Sequence, residues 1–305
     1  MGLLTLRTLD LLHAELTSET AGSNTRCRLW WADHRKCNGD GCRVMPEYIN
    51  LRGHEIYNYE WDNDAEAVVL LHGGLSKTSS WDYLLVPALE ADFHVYGYDR
   101  TAHGFTADQP GSLHFDFQTQ EAIAYLEDVV KEPSHLVGYS DGAVIALMVA
   151  IARPDLVKSI IAIGGNFHYS GIEFDMGEPS VSEEDLAEHT LISPDQPHTL
   201  LEKVKRMFEI WKSEPNISRE DLAKIQCPVL VVSGDDDVVT LAHTQELYEA
   251  IPLGQLAVIP GTSHELVKEK TKLFNVIMLQ FLLDLSYPIT FAPVKRVNPI
   301  SNLPD

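Results

Sequence analysis

Three features of this chain have the residue types and spacing for nucleophilic catalysis: a serine between glycines, a run of aspartates, and a histidine in a late loop. The serine is Ser140, in "SHLVGYSDGAVIALM" (134–148), with Gly138 and Gly142 two residues to either side. The residues before it read as a buried strand and those after it as an apolar helix. A sharp strand-to-helix turn lifts such a serine above the sheet, and glycines leave room where strand and helix crowd together. The amino end of the helix offers free N–H groups and partial positive charge where an oxyanion would form. Taken alone, the pattern reads better as a serine N-cap flanked by glycines. Its surroundings decide.

A serine nucleophile needs a base, and the chain holds 13 histidines. The base belongs in a loop at the carboxyl end of a later strand. His264 meets this condition, in "QLAVIPGTSHELVKEK", which reads as strand, turn, histidine, helix. His135 lies at the opposite end of its strand. His189, His198 and His243 fall in predicted helices, and His72 and His103 precede the serine. An orienting acid should sit between serine and histidine in the chain, again after a strand. "VLVVSGDDDVVT" offers Asp235, Asp236 and Asp237. Three acids at a strand end are often only a solvated turn; here the order Ser…Asp…His gives them a use.

Composition narrows the partners. The formal net charge of −22 repels phosphate backbones and anionic membranes, so nucleic acid and membrane are not expected partners, and a small molecule is. No run approaches the roughly 18 apolar residues that a membrane span needs. The amino terminus "MGLLTLRTLDLLHAELTSET" lacks a basic start and carries acids in its apolar stretch, which makes it a poor signal peptide; a cytoplasmic location is expected. Cys27, Cys37 and Cys42 cluster around His34, but Cys-x9-Cys-x4-Cys lacks the paired spacing of zinc modules, and no metal is expected. Cys227 precedes a strand and reads as core.

The elements that must position these residues alternate along the chain. "MPEYINLRGHEIYNYEW" reads as two strands around an Arg52-Gly53-His54 turn. Short β-branched runs follow at 66–74, 92–99, 134–140, 157–165, 227–235 and 255–261. Nearly continuous apolar strands fit a sheet covered on both faces. Helical stretches lie between them, including Gln118–Val130, Gly142–Arg153, Thr240–Ala250 and Glu265–Leu285. The alternation predicts an α/β fold with a doubly wound, mostly parallel sheet and right-handed crossovers. Between Gly165 and Cys227 no strand appears; helices near 182–189, 198–214 and 218–225 are expected there, Ser182 and Ser218 supplying helix starts. Inserted at the carboxyl edge of the sheet, they would form a cap over the site. Residues 1–44, with a net charge of +1, read as a weakly ordered extension, or as an upstream start that is not used, before a domain that is complete from Met45. The core is then 45–165 and 226–287, the cap 166–225, and the proline-rich tail 288–305 extended.

With these motifs in order, the chain resembles the α/β-hydrolase-fold serine hydrolases over about residues 47–286. The resemblance implies that the Gly-x-x-Asp loop after the seventh strand supplies Asp237 to a triad with Ser140 and His264, Asp235 being the runner-up. It also implies that "HGG" after the third strand supplies the backbone N–H of Gly74, or else of Leu75, to an oxyanion hole shared with the N–H of Asp141. "YDRTAHGFT" resembles the family's Asp-x-x-Gly-x-Gly-x-Ser turn, with Ala102 in place of a glycine and Thr106 in place of the serine. That turn is scaffold, so the departures bear on local geometry.

The implied activity is two-step hydrolysis of an ester, lactone, thioester or amide with a small or medium apolar acyl group, without cofactor. An aminoacyl ester or amide and a carbon–carbon bond are alternatives on the same scaffold. A non-catalytic ligand-binding receptor is the alternative of another class. Leu75, Tyr139, Phe167, His168, Phe208 and Trp211, with Tyr169, Met176 and Met207, are candidate pocket residues, although an aromatic and methionine stripe at helical spacing is more often packing. Asp141 has two readings: a first-turn acid favoured by the helix dipole, or a carboxylate facing the pocket and pairing with a cationic group such as an α-amine.

Overall fold

The computed structural model describes residues 46–173 and 177–294. The readings made for residues 1–44, for Met176 and for the tail beyond 294 therefore lie outside the described residues. Eight strands form one sheet: β1 (Glu47–Leu51), β2 (His54–Trp61), β3 (Ala67–Leu71), β4 (His94–Asp99), β5 (Ser134–Tyr139), β6 (Val157–Ile163), β7 (Val229–Asp236) and β8 (Gly254–Ser263). Their spatial order is β1-β2-β4-β3-β5-β6-β7-β8. β2 pairs antiparallel with β1 and β4, and the other pairs are parallel. The β1–β2 hairpin closes through Arg52 and Gly53, both at positive φ (54° and 80°), the geometry whose twist matches its strands.

Alternation along each strand explains why the central ones are apolar throughout. In β3, Ala67, Val69 and Leu71 enter the core on one face of the sheet, while Val68 and Leu70 enter the core on the other. The first core is filled by α3 (Asp141–Ala152), whose Ala143 to Leu147 are fully buried. Phe274 and Met278 of α9 (Thr271–Leu283) fill the second. Truncating a side chain such as Leu70 to alanine would cost about 2–5 kcal/mol. Cys227 packs against the first core, as expected.

The chain leaves β3 for β4 on one side and then crosses to β5 on the other. In open α/β sheets a crevice forms at such a reversal, outside the carboxyl ends of the strands. The HGG stretch follows β3 and Ser140 follows β5, so both reach that crevice.

The remaining helices are α1 (Val86–Leu89), α2 (Phe115–Tyr125), α4 (Glu183–Ile192), α5 (Thr199–Trp211), α6 (Arg219–Leu222), α7 (Leu241–Ala250) and α8 (Leu266–Glu269). The single helix expected over Glu265–Leu285 is two, because Lys270 (φ −136°, ψ 47°) turns the chain out of helical geometry between α8 and α9. The helix expected over Gln118–Val130 begins earlier, at Phe115, and ends in a π-turn over Leu126–Val130 closed by Lys131 at φ 63°.

Between β6 and β7 lie α4, α5 and α6. Ser182 and Ser218 cap α4 and α6, each accepting the N–H three residues on, Asp185 and Asp221, at 3.0 Å. α5 buries Lys203, Val204, Met207 and Ile210, a stripe at helical spacing. Met207 is thus core packing, the blander of its two readings. Polar bonds tie this insertion to the loop after β4 and to the start of α2: Lys203 Nζ donates to Ala102 O at 3.1 Å, and Glu214 accepts the Phe115 N–H at 3.1 Å. Among the described residues no helix is long and apolar enough to cross a membrane.

Candidate active site

Ser140 sits at the turn from β5 to α3 with φ 54° and ψ −119°, a backbone region that non-glycine residues rarely adopt. Its own N–H is tied to Ile163 O of β6 at 2.8 Å, which fixes the turn. A Cβ at Gly138 would strike the backbone of Gly142, and one at Gly142 would strike the Leu71 carbonyl. Both glycines are therefore required by close approach of backbone. As the first residue of α3, Asp141 has an N–H without an intrahelical acceptor.

His264 follows β8 and brings Nε2 to 3.0 Å from Ser140 Oγ, although 124 residues separate them. Its Nδ1 is 2.7 Å from Asp237 Oδ1. Asp237 lies just past β7, its side chain closed to solvent, and its carboxylate also accepts Val239 N–H at 3.1 Å and the Ser233 hydroxyl at 3.3 Å. Burial by itself would raise this carboxyl. The hydrogen bond and charge of His264, with the Val239 and Gly234 amides, outweigh it and hold the group below its ordinary value. Asp235 is exposed and accepts Thr262 N–H at 3.1 Å instead, bracing the β7–β8 ends.

The HGG stretch lies against the serine. A Cβ on Gly73 would be 3.4 Å from Ser140 Cβ and 2.9 Å from the Tyr139 ring; one on Gly74 would overlap the Asp141 carboxylate and the Trp211 indole. Leu75 takes φ 52°, so the chain bends sharply after Gly74. Asp141 is 5% exposed, and its carboxylate accepts the Trp211 indole N–H at 3.0 Å from α5. Burial pushes this carboxyl up to about 6 against the Arg100 charge, the Trp211 hydrogen bond and the His264 charge. A solvated first-turn acid would show none of this, so the dipole reading alone does not describe Asp141.

The other candidate pocket residues divide. Trp211 reaches the site, and Phe208 packs beside it, ring centroids 5.7 Å apart. Tyr139 lies beside the His264 ring at 5.1 Å, with its hydroxyl 3.2 Å from Glu265. Phe167 turns instead to His243: the two rings stack at 4.1 Å, and the Phe167 N–H donates to His243 Nε2 at 3.2 Å. His168 bonds the Ser170 hydroxyl and lies against the ring of Tyr169, tilted by 30°, and Tyr169 is exposed.

Two site features escape a sequence reading. Gly164, at φ 57° after β6, sits where a Cβ would lie 2.9 Å from the His264 ring; only the Gly164-Gly165 pair at that strand end hinted at it. The Trp211–Asp141 bond joins residues 70 positions apart and left no local signal.

In the turn after β4, Ala102 adopts φ 74°, which explains why glycine suits that position and shows that alanine can fill it. Thr106 keeps the hydroxyl role: it donates to Asp99 O at 2.7 Å and accepts Tyr57 N–H at 2.9 Å. Asp99 in turn accepts the Thr78 and Phe105 amides at 2.8 and 3.0 Å.

Residues 68–270 match the model of the alpha/beta hydrolase family. The chain belongs to that family. It is similar to (E)-2-((N-methylformamido)methylene)succinate hydrolase of Acinetobacter baylyi, 24% identical over 72% of this chain and 92% of that protein. It is similar as well to the serine hydrolase BPHL of Homo sapiens, 23% identical over 79% and 88% of the two chains. Among solved structures, a serine hydrolase involved in carbazole degradation superposes with TM-score 0.65 at 18% identity, covering 79% of this chain and 99% of that one. A meta-cleavage product hydrolase from Pseudomonas fluorescens gives TM-score 0.61 at 22% identity, covering 78% and 97%. At these identities the structural likeness shows the fold. This α/β-hydrolase is an enzyme that acts through hydrolysis.

Proposed function

We propose that this α/β-hydrolase cleaves an ester, lactone, thioester or amide of a small or medium apolar acyl substrate, with Ser140 as nucleophile. The observation that carries this reading is the continuous hydrogen-bond chain from Ser140 Oγ through His264 to the solvent-shielded Asp237. His264 Nε2 takes the hydroxyl proton as Oγ attacks the carbonyl, and Asp237 holds the imidazole with its other proton on Nδ1 and stabilises the imidazolium that forms. The Gly74 and Asp141 N–H groups receive the developing oxyanion. His264 then protonates the leaving group, which departs and leaves an acyl-Ser140. Water deprotonated by His264 attacks that ester, and the proton returns to Oγ as the acid leaves.

A second reading, an amine-bearing acyl group, is motivated by the position of the Asp141 carboxylate, which lies beside Gly74 with the Trp211 indole N–H as its side-chain partner. Turnover of a panel of p-nitrophenyl esters, thioesters and aminoacyl amides by the wild type and Ser140→Ala tests the proposal. Hydrolysis of at least one class that disappears in Ser140→Ala is expected. Retained hydrolysis in Ser140→Ala refutes the nucleophile. Ligand binding without turnover of any class would favour a receptor.

A further inference from the structure

Behind the oxyanion loop lies a fully buried cation that the proposed chemistry leaves unused. Arg100, the first residue after β4, has no exposed surface, and neither do His72 and Gln118 around it. A buried guanidinium ordinarily faces a carboxylate. Here the fork instead grips two successive backbone carbonyls: one terminal nitrogen donates to His72 O, and the other to Gly73 O at 3.0 Å. Arg100 Nε donates to Gln118 Oε1 at 2.6 Å, and Gln118 is held in turn by Leu113 O at 2.9 Å. His72 completes the brace. Its Nε2 accepts the Arg100 backbone N–H at 3.1 Å, so its proton is on Nδ1, which donates to Gly73 O at 2.8 Å.

The consequence follows from peptide geometry. In a trans peptide the C=O and the next N–H point in opposite directions within one plane. The Gly73 carbonyl is drawn back toward Arg100 by two donors, so the Gly74 N–H must point away from Arg100. Gly74 itself has no Cβ to fix its conformation, and the residue after it holds a positive φ of 52°. Without an outside clamp this peptide would be free to flip and turn an acceptor toward the developing oxyanion. A planar fork that spans two carbonyls prevents this; a lysine ammonium, a point charge on a flexible stem, does not.

We propose that Arg100 is a positioning residue for the hydrolysis, fixing the Gly73–Gly74 peptide so that the Gly74 N–H meets the oxyanion. The inference rests on Ser140, Gly74 and Asp141 acting as proposed above. Arg100 touches no reacting atom, and its effect belongs to the transition state rather than to substrate binding.

The test compares wild type, Arg100→Lys and Gln118→Leu, with fold and melting temperature checked by circular dichroism. For each, kcat and KM are measured on the best ester, together with the inhibition constant of an alkyl boronic acid, whose tetrahedral adduct on serine mimics the oxyanion. Arg100→Lys leaves His72 Nδ1 as the remaining donor to Gly73 O and should lose kcat with little change in KM, by up to the order of 10²-fold expected when an oxyanion donor is lost. Its boronate affinity should fall alongside. Gln118→Leu, which releases only the Nε end of the fork, should show a smaller loss of the same form. If Arg100→Lys does not fold, Gln118→Leu decides alone. Unchanged kcat and boronate affinity in the folded variants overturn the proposal, as does a loss confined to KM. Failure of the underlying reading looks different: wild-type activity would survive Ser140→Ala, whatever Arg100 variants do.

Discussion

The Trp211 indole N–H donates to the carboxylate of Asp141 at 3.0 Å, joining the inserted helices to the residue directly after Ser140. The bond places a carboxylate, closed to solvent, at the edge of the site. Burial there gives Asp141 a cost that can be measured.

Because burial raises the Asp141 carboxyl to about 6 from an ordinary 3.8, the folded chain binds that proton more tightly than the unfolded chain. Stability contributed by this group therefore falls as pH rises from about 4 to about 6, and stays lower above. Asp141→Asn, which can still accept the Trp211 N–H, should be more stable than wild type at pH 8 by on the order of 2 kcal/mol. The difference should vanish below pH 4 in urea unfolding. On the same variant, neutral esters should still turn over, while a marked rise in KM for substrates with a free α-amine would assign the carboxylate to amine binding. Equal effects on both substrate types would leave Asp141 a cap contact.

Asp237→Ala should be far more damaging than Asp235→Ala. Asp237 bonds His264 and is shielded, whereas Asp235 is exposed and bonds Thr262 N–H. A loss in kcat of about 10⁴-fold is expected for Asp237 and under tenfold for Asp235, by analogy with triads lacking their acid. A larger loss at Asp235 would move the assignment two residues upstream.

The motifs that carry this site were legible because each answers a local demand of the backbone. Gly138 and Gly142 report a strand and helix in contact, and the Ser…Asp…His order follows from strand ends on one edge of a parallel sheet. Among three consecutive aspartates the family resemblance favours Asp237 over Asp235, and what sequence lacks is the exposure of Asp235 and the shielding of Asp237, which depend on how β7 ends against β8. The inserted segment resisted because Phe167 finds its partner across the fold, at His243, while His168 turns to Ser170 two residues on, contacts that leave no sequence periodicity. Arg100 was hidden for another reason: the groups its fork grips are backbone carbonyls, which every residue has.

Thr106 tests the view that the turn after β4 is scaffold. Thr106→Val removes the hydroxyl that donates to Asp99 O and accepts Tyr57 N–H, leaving buried groups unpaired. It should cost about 1–3 kcal/mol of stability, while Thr106→Ser costs much less. Neither should change kcat in the folded enzyme; a drop in kcat for Thr106→Val at full folding would give the turn a part in catalysis.

The described fold begins with β1 at Glu47, and residues 1–44 differ in charge from the rest. We expect a chain beginning at Met45 to fold and to hydrolyse the same substrates with unchanged kcat/KM. Insoluble or inactive protein would instead give the preceding segment, with Cys27, Cys37 and Cys42, a structural or metal-binding part.

The central claim is that Ser140 is a nucleophile activated by His264, and covalent capture tests it most directly. Wild-type enzyme treated with a fluorophosphonate should gain the mass of one phosphonyl group, with the adduct mapping by peptide sequencing to Ser140. Ser140→Ala should gain none, and His264→Ala should react slower by several orders of magnitude, since the base and nucleophile act as a unit. An adduct on any other residue in wild type, or equal labelling of Ser140→Ala, would contradict the account.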